Sequence, residues 1–371
     1  MKAINILIAA LALFMTGCGG NHSSIEGNTP EQRLDALMAD IMSKEAPPGM
    51  ILGVWTPRTT YLKAVGVADI QTGVPMDTTM NYRIGSQSKM YISTVILQMV
   101  DERKIALDDT VAKHLKGVTG GEEITIFQLL TNTSGISSYT EDATWMAKLF
   151  ADPTKTWMPW QLVEVSNKLP PHFPPGKGWN YSNTNFVILG LIAEAIDRKP
   201  VHEILHQRLA KALGLHVTSL PLDTTLPPPS PHGYWESGKQ GAPRLLDFTV
   251  QSPSWAWTAG GMVANVAESK AWIEAVVGGG LLSDALQTKR MSTWMNTETG
   301  AAGAASGYGM GIGKRNGAVG HTGSLPGWTS GAYRIVDRDA TLVFFFNLQS
   351  ELNDPSARLL EKVTEIVRST P

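Results

Sequence analysis

The two ends of this chain read as halves of one structural unit, and nothing else in the sequence limits the fold as strongly. Residues 30–44 (PEQRLDALMADIMSK) place Leu34, Leu37, Met38, Ile41 and Met42 at i, i+3, i+4, i+7 and i+8, the apolar stripe of a helix that starts at a proline. Two strand-like runs follow, MILGVWTP and TYLKAVGVAD, separated by a short turn region. The far end mirrors this order. GWTSGAYRIV and ATLVFFFNLQ, divided by Asp337, Arg338 and Asp339, read as a β-hairpin, and PSARLLEKVTEIVRS closes the chain as a helix. Such ends predict one α/β unit assembled from both termini. The middle differs: ITIFQLLTNTSG, WQLVEVSNKL and NFVILGLIAEAID have helical patterns, with a Pro-rich loop at 224–231. The expected organisation is a mostly helical part, about 101–254, inserted into an α/β part formed by about 30–100 and 255–371. The boundary between the two is where a ligand cleft is expected.

Ahead of this unit lies a leader. Lys2, the apolar run INILIAALALFM and then TGCGG have the layout of a secretory signal, too short for a comfortable membrane-spanning helix. Met15-Thr16-Gly17-Cys18 resembles a bacterial lipobox. The resemblance implies removal of residues 1–17 and lipid on the sulfur and amine of Cys18. Residues 18–29 then form a polar tether, and the protein is expected to be exported and lipid-anchored in the bacterial cell envelope. Cys18 is the only cysteine, so the exported domain must hold together without a disulfide. With 43% hydrophobic residues and 11 tryptophans it has the material for a large core. A net charge of −2 without any basic stripe excludes nucleic acid as a partner class.

Three short motifs carry chemistry. Ser86 and Lys89, in RIGSQSKM, lie three residues apart at the start of an apolar helical pattern, on one face of the expected helix. The helix start also offers N–H groups to a developing oxyanion. Tyr181 and Asn183, in GWNYSNTNF, put a phenol and an amide just before another apolar helix. His321, Thr322 and Gly323, in VGHTGSLPGW, form a small-residue strand able to admit a substrate backbone.

Ser-x-x-Lys, Tyr-x-Asn and His-Thr-Gly, in this order and at these separations, resemble the serine penicillin-recognising hydrolases. That superfamily comprises β-lactamases, D-Ala-D-Ala carboxypeptidases and relatives acting as esterases or D-amino acid amidases. YRIGSQSK, LDDTV, FPPGKGWNYSNTNFVILGLI, TAGGMVANVAE and YGMGIG are similar to family segments, and the likeness spans roughly residues 45–350. It implies a β-lactamase/transpeptidase-like α/β (α+β) fold, an antiparallel sheet flanked by helices with an inserted mostly helical domain. It also implies roles. Ser86 attacks a carbonyl and becomes acylated. Lys89 takes its proton, for which its pKa has to fall from about 10.4 toward neutrality. Tyr181 relays the proton or acts as base itself; the sequence leaves both open. Asn183 holds Lys89 and the substrate amide, the N–H groups of Ser86 and Ser324 bind the oxyanion, and Thr322 and Ser324 are candidates for a substrate carboxylate. The activity implied first is D-Ala-D-Ala carboxypeptidase-type cleavage of cell-wall-like peptides. β-Lactamase, carboxylesterase and D-amino acid amidase activity are the alternatives, and a non-turnover penicillin-binding sensor is a further one. A small peptide, ester or β-lactam is the expected substrate, a monomer the expected state, and no metal or organic cofactor is required.

Several positions depart from the pattern. His321 stands where many β-lactamases have lysine, which predicts activity that changes across about pH 5–8. The carboxypeptidase branch has an arginine after its Tyr-Gly-x-Gly-aliphatic pattern; here Gly313 is in that place, with Lys314 and Arg315 following as candidates for a carboxylate. Asn132 replaces a frequent histidine and is expected to be structural. Trp145 and Trp255 are candidates for the acyl pocket, with core packing as the competing reading. A rival chemistry is His202-Glu203-x-x-His206, a zinc-protease pattern. Val201, Ile204, Leu205, Leu209, Ala212 and Leu213 make that segment an ordinary amphipathic helix, and no third ligand is evident beyond a guess at Glu236.

Overall fold

A computed structural model describes residues 27, 29–239, 242–350 and 352–370. The signal segment, Cys18 and the tether apart from Gly27 and Thr29 lie outside the described residues. No described helix is long and apolar enough to cross a membrane.

The strands in chain order are β1 (Gly49–Trp55), β2 (Thr60–Gly66), β3 (Tyr82–Arg83), β4 (Tyr234–Lys239), β5 (Ala242–Asp247), β6 (Val263–Ala264), β7 (Gly307–Tyr308), β8 (Gly313–Arg315), β9 (Ala318–Leu325), β10 (Trp328–Ile335), β11 (Ala340–Phe346) and β12 (Leu348–Ser350). Among the described residues the main sheet has seven strands in the order β2-β1-β11-β10-β9-β8-β7, every pair antiparallel. The join of the two chain ends is the β1–β11 pair, running from Met50 opposite Phe346 to Trp55 opposite Thr341. The hairpin expected at the C-terminal end is β10–β11, closed by Ile335 opposite Ala340.

The sheet is covered on both faces, so its central strands are apolar on both sides rather than alternating with polar residues. Met50, Leu52 and Val54 of β1 and Phe344 and Phe346 of β11 pack on the helices Pro30–Lys44 and Ser356–Ser369, which form the outer layer. Ile51 and Phe345 face the other way, into the larger core shared with the central helices; Phe345 stacks on Tyr82 at 4.3 Å between ring centroids. At the centre of that core run the helices Ser88–Asp101 and Asn183–Asp197. The reading of 101–254 as helical passed over one feature, the β4–β5 hairpin, which joins β12 in a small sheet of its own.

Candidate active site

Ser86 sits in a single 3-10 turn, Gly85–Gln87, that leads into the helix Ser88–Asp101. Gly85 has φ +57, a left-handed value that suits glycine. The turn is pinned from below. Gln87 Nε2 donates to Ser330 Oγ (2.7 Å), Ser330 Oγ donates to the Ile84 carbonyl (2.9 Å), and Ser88 Oγ donates to the Gly85 carbonyl (2.7 Å). β9 presses against the same turn at Gly323, where a Cβ would lie 1.9 Å from the Ile84 oxygen. Only glycine permits this approach, and it brings the Ser324 N–H beside the nucleophile turn.

Lys89 is fully buried, and its Nζ lies 2.9 Å from Ser86 Oγ, 2.8 Å from Asn183 Oδ1 and 2.7 Å from the Ala259 carbonyl. The rings of Tyr181 and Phe186 flank it, at 4.7 and 5.4 Å from their centroids. Burial without a compensating carboxylate drives its pKa well below that of an ordinary lysine. The Tyr181 phenol is pushed up by burial, with its neighbour Ser86 offsetting part of the effect; its hydroxyl faces Ser86 without completing a hydrogen bond. Asn183 opens its helix, accepting from Lys89 and donating to Thr140 Oγ1 (3.2 Å).

Asn132 gives the Tyr181 loop its shape. Held in the left-handed region at the end of the helix Ile126–Thr131, its side-chain oxygen accepts from the Ser182 N–H (3.1 Å) and Asn185 Nδ2 (3.0 Å), and its carbonyl accepts from the Asn180 N–H (3.0 Å).

His321 points to the same side of β9 as Lys89's helix. Its Nδ1 donates to the Thr322 carbonyl, and its Nε2 lies 3.1 Å from the Tyr308 hydroxyl, a pairing that suits a neutral ring with Nε2 as acceptor. Burial first, and then the nearby Lys89, lower its pKa to about 3, against the opposing Thr322 carbonyl. The pH expectation attached to His321 is therefore corrected: a ring enclosed by protein stays uncharged throughout pH 5–8.

Ser86, Tyr181, Asn183 and His321 share a cavity of about 640 Å³ with Thr322, Ser324, Trp255, Lys314 and Arg315, while Lys89 and Asn132 are buried behind its wall. Gly323 lies behind it, in the contact with Ile84. Trp145 does not line the cavity. It is buried one layer back, edge-on to Tyr139 and tilted against Trp255, so the reading of it as an acyl-pocket residue is corrected to support of that wall. The wall itself includes Phe150 and Trp235, whose rings pack at 4.4 Å. Sequence reasoning passed over this pair, as it did Tyr308 and the Ala259 carbonyl. Tyr308 had a signal, since it opens YGMGIG; a backbone carbonyl has none.

The zinc pattern stays apart. His202 and His206 occupy successive turns beginning at the helix Val201–Leu205, while Glu236 on β4 accepts from Ser350 Oγ. Among the described residues no cluster of three His, Cys, Asp or Glu is placed to hold a metal.

A family model described as Beta-lactamase matches residues 34–364. The D-aminopeptidase of Brucella anthropi is 27% identical over 338 residues, which is 88% of this chain and 61% of that protein. The chain thus spans about three fifths of that relative's length. Among solved structures, a D-stereospecific amidohydrolase from Streptomyces sp. is 30% identical with a TM-score of 0.78, covering 88% of this chain and 97% of that one. The D-amino acid amidase from Ochrobactrum anthropi SV3 has a TM-score of 0.79 at 22% identity, covering 90% and 98%, a likeness of fold.

Proposed function

The chain belongs to the beta-lactamase family, and from that footing we propose that it is a serine hydrolase that cleaves amides of D-configured residues through an acyl-enzyme on Ser86. The observation that carries the reading is Lys89: a fully buried amine 2.9 Å from Ser86 Oγ, with only neutral acceptors on its other sides. As a neutral amine it donates its two N–H groups to Asn183 Oδ1 and the Ala259 carbonyl and turns its lone pair to the Ser86 hydroxyl. Lys89 takes the hydroxyl proton as Oγ attacks the carbonyl carbon, and the carbonyl oxygen becomes an oxyanion facing the Ser86 and Ser324 N–H groups. The tetrahedral intermediate collapses, the C–N bond breaks, and the leaving amine takes the Tyr181 proton, which Lys89 replaces. Water then hydrolyses the ester by the same route in reverse.

Two observations support the substrate class. Similar proteins include a D-aminopeptidase, 27% identical, and a D-stereospecific amidohydrolase, 30% identical. The acyl end of the cavity, with Met146, Phe150, Trp235, Trp255 and Leu325, carries no charge and suits a large apolar side chain. D-Ala-D-Ala carboxypeptidase-type cleavage, the expectation from the sequence, shares each step, but its methyl side chain would leave that wall uncovered.

The test is turnover of D- against L-phenylalanine amide by the parent protein and by Ser86→Ala, with the mass of the trapped acyl adduct. We expect the D-amide to be preferred and Ser86→Ala to lose both adduct and turnover while keeping its circular dichroism spectrum. Undiminished turnover in Ser86→Ala overturns the site, and indifference to configuration overturns the substrate class.

A further inference from the structure

The face of the main sheet that carries Ile51 and Phe345 holds a second hollow, of about 430 Å³, which shares no lining residue with the active-site cavity. Arg334, at its border, stands four residues along β10 from Ser330, the residue that pins the nucleophile turn, a run of about 13 Å.

The floor of the hollow is built on a row across four strands. Thr60 of β2 pairs with Trp55 of β1, Trp55 with Thr341 of β11, and Thr341 with Arg334 of β10. Paired residues place their side chains on one face, and three strand spacings make the row about 14 Å long. The helix Val266–Gly278 supplies a wall, with Lys270 and Glu274 one turn apart. Trp272 of the same helix stacks on Tyr91 at 3.8 Å, which anchors that wall in the core.

Gly53 gives the floor its shape. A Cβ there would stand 2.2 Å from Cη2 and 2.6 Å from Cζ3 of Trp55, so the indole lies back over the strand as a platform. Glycine inside a strand weakens it and marks such close approaches. Trp55 keeps part of its surface exposed, and Lys270 Nζ stands 5.6 Å from its ring.

The polar groups form one chain. Arg334 Nη1 donates to Thr341 Oγ1 (2.7 Å), and Thr341 Oγ1 donates to Glu274 Oε1 (2.6 Å). Lys270 Nζ lies 2.7 Å from Glu274 Oε2, and Arg334 also pairs with Asp339. Thr341 is fully buried, so the centre of the chain is fixed beneath the hollow, while Lys270, Glu274 and Asp339 stay open to solvent.

Two cations stand against two carboxylates, so charge complementarity favours neither an anion nor a cation as occupant. What the hollow offers is a flat aromatic surface bordered by carboxylate oxygens with spare lone pairs, an ammonium and a guanidinium. A pyranose ring has the matching chemistry: an apolar C–H face for the indole and a rim of hydroxyls that both donate and accept. We propose that this hollow binds a neutral saccharide, with one ring on Trp55, its hydroxyls on Lys270 and Glu274, and a second ring along the row toward Arg334 and Asp339. The inference is independent of the hydrolase reading.

The experiment is calorimetric titration of the parent protein with cellobiose, maltose and N,N′-diacetylchitobiose, with sorbitol as the open-chain control. We expect at least one disaccharide to bind with a Kd of about 1 mM or below, and sorbitol to bind at least about tenfold more weakly. Trp55→Ala should weaken the disaccharide about tenfold while circular dichroism and turnover of D-phenylalanine amide stay at the parent's level. Glu274→Gln, a change on the helix surface, should weaken it about fivefold and decides the matter if Trp55→Ala does not fold. No binding of any of the three disaccharides at about 20 mM, twenty times the expected Kd, overturns the assignment. So does sorbitol binding as tightly as they do, or an affinity that neither variant changes.

Discussion

Gly323→Ala tests whether β9 supplies half of the oxyanion hole. The added methyl would stand 1.9 Å from the Ile84 oxygen, 2.8 Å from its carbonyl carbon and 2.6 Å from Ser330 Oγ. Two of these are backbone atoms of the segment that carries Ser86, so no rotamer change relieves them, and β9 must retreat by about 1 Å to reach a tolerable contact. The adjoining Ser324 N–H retreats with it. A displacement of that size, or loss of one oxyanion donor, costs on the order of 10²–10³ in rate, or roughly 3–4 kcal/mol of transition-state stabilisation. The assay is the acylation rate of Ser86 with D-phenylalanine amide, together with the melting temperature. Gly313→Ala is the control: its methyl would meet the Gly320 and Gly307 oxygens at 3.4 and 4.0 Å, ordinary contacts on the same sheet. We expect Gly323→Ala to remain folded and to lose at least a hundredfold, and Gly313→Ala to lose little. A folded Gly323→Ala protein within about fivefold of the parent would refute the role given to β9. Equal losses in both variants would show damage to the sheet rather than to the oxyanion site.

Two further outcomes are expected. His321 has its pKa lowered to about 3 by burial, so the unfolded chain gains a proton below about pH 6.5 that the folded protein refuses. Its contribution is present above pH 6.5 and is lost as pH falls toward 3. Between pH 7 and pH 4 the parent should lose about 3 kcal/mol more stability in urea unfolding than His321→Gln; equal losses would mean that the ring is already charged in the fold. Trp235→Ala removes the ring tilted against Phe150 at the apolar end of the cavity. The ratio of kcat/KM for D-phenylalanine amide over D-alanine amide should fall about tenfold, and an unchanged ratio would place the acyl side chain elsewhere.

The sheet was legible because strands with both faces buried announce themselves as runs such as ATLVFFF, and the closure of the chain ends followed from the mirrored order of helix and strands. The meeting of Ser86 and Lys89 was legible for a local reason, one helical turn. What stayed hidden depends on distance or on backbone. Phe150 and Trp235 are 85 positions apart and meet only through the β4–β5 hairpin, whose short, interrupted strands carry little alternation. The Ala259 carbonyl that accepts from Lys89 has no side-chain signature at all. Lys314 and Arg315 looked interchangeable, because neighbours in sequence become opposites only once strand register is known. For Trp145, composition gave no way to tell a residue forming a wall from one standing behind it.

The charges of the cavity are arranged in a way that bears on which group is the base. Burial moves Lys89 down and Tyr181 up, and both shifts favour the uncharged form. A tyrosinate paired with an ammonium would require desolvating two charges where Asn183, Ala259 and the Phe186 ring are the other neighbours, none of them a counterion. The neutral pair, an amine facing Ser86 and a phenol free to donate, needs no such compensation, and the neutral His321 ring extends the same condition along β9. On the proposed reading the chemistry therefore begins in an uncharged pocket and creates its first full charges, oxyanion and ammonium, together in the transition state, where fixed N–H groups act most strongly in a low-dielectric site.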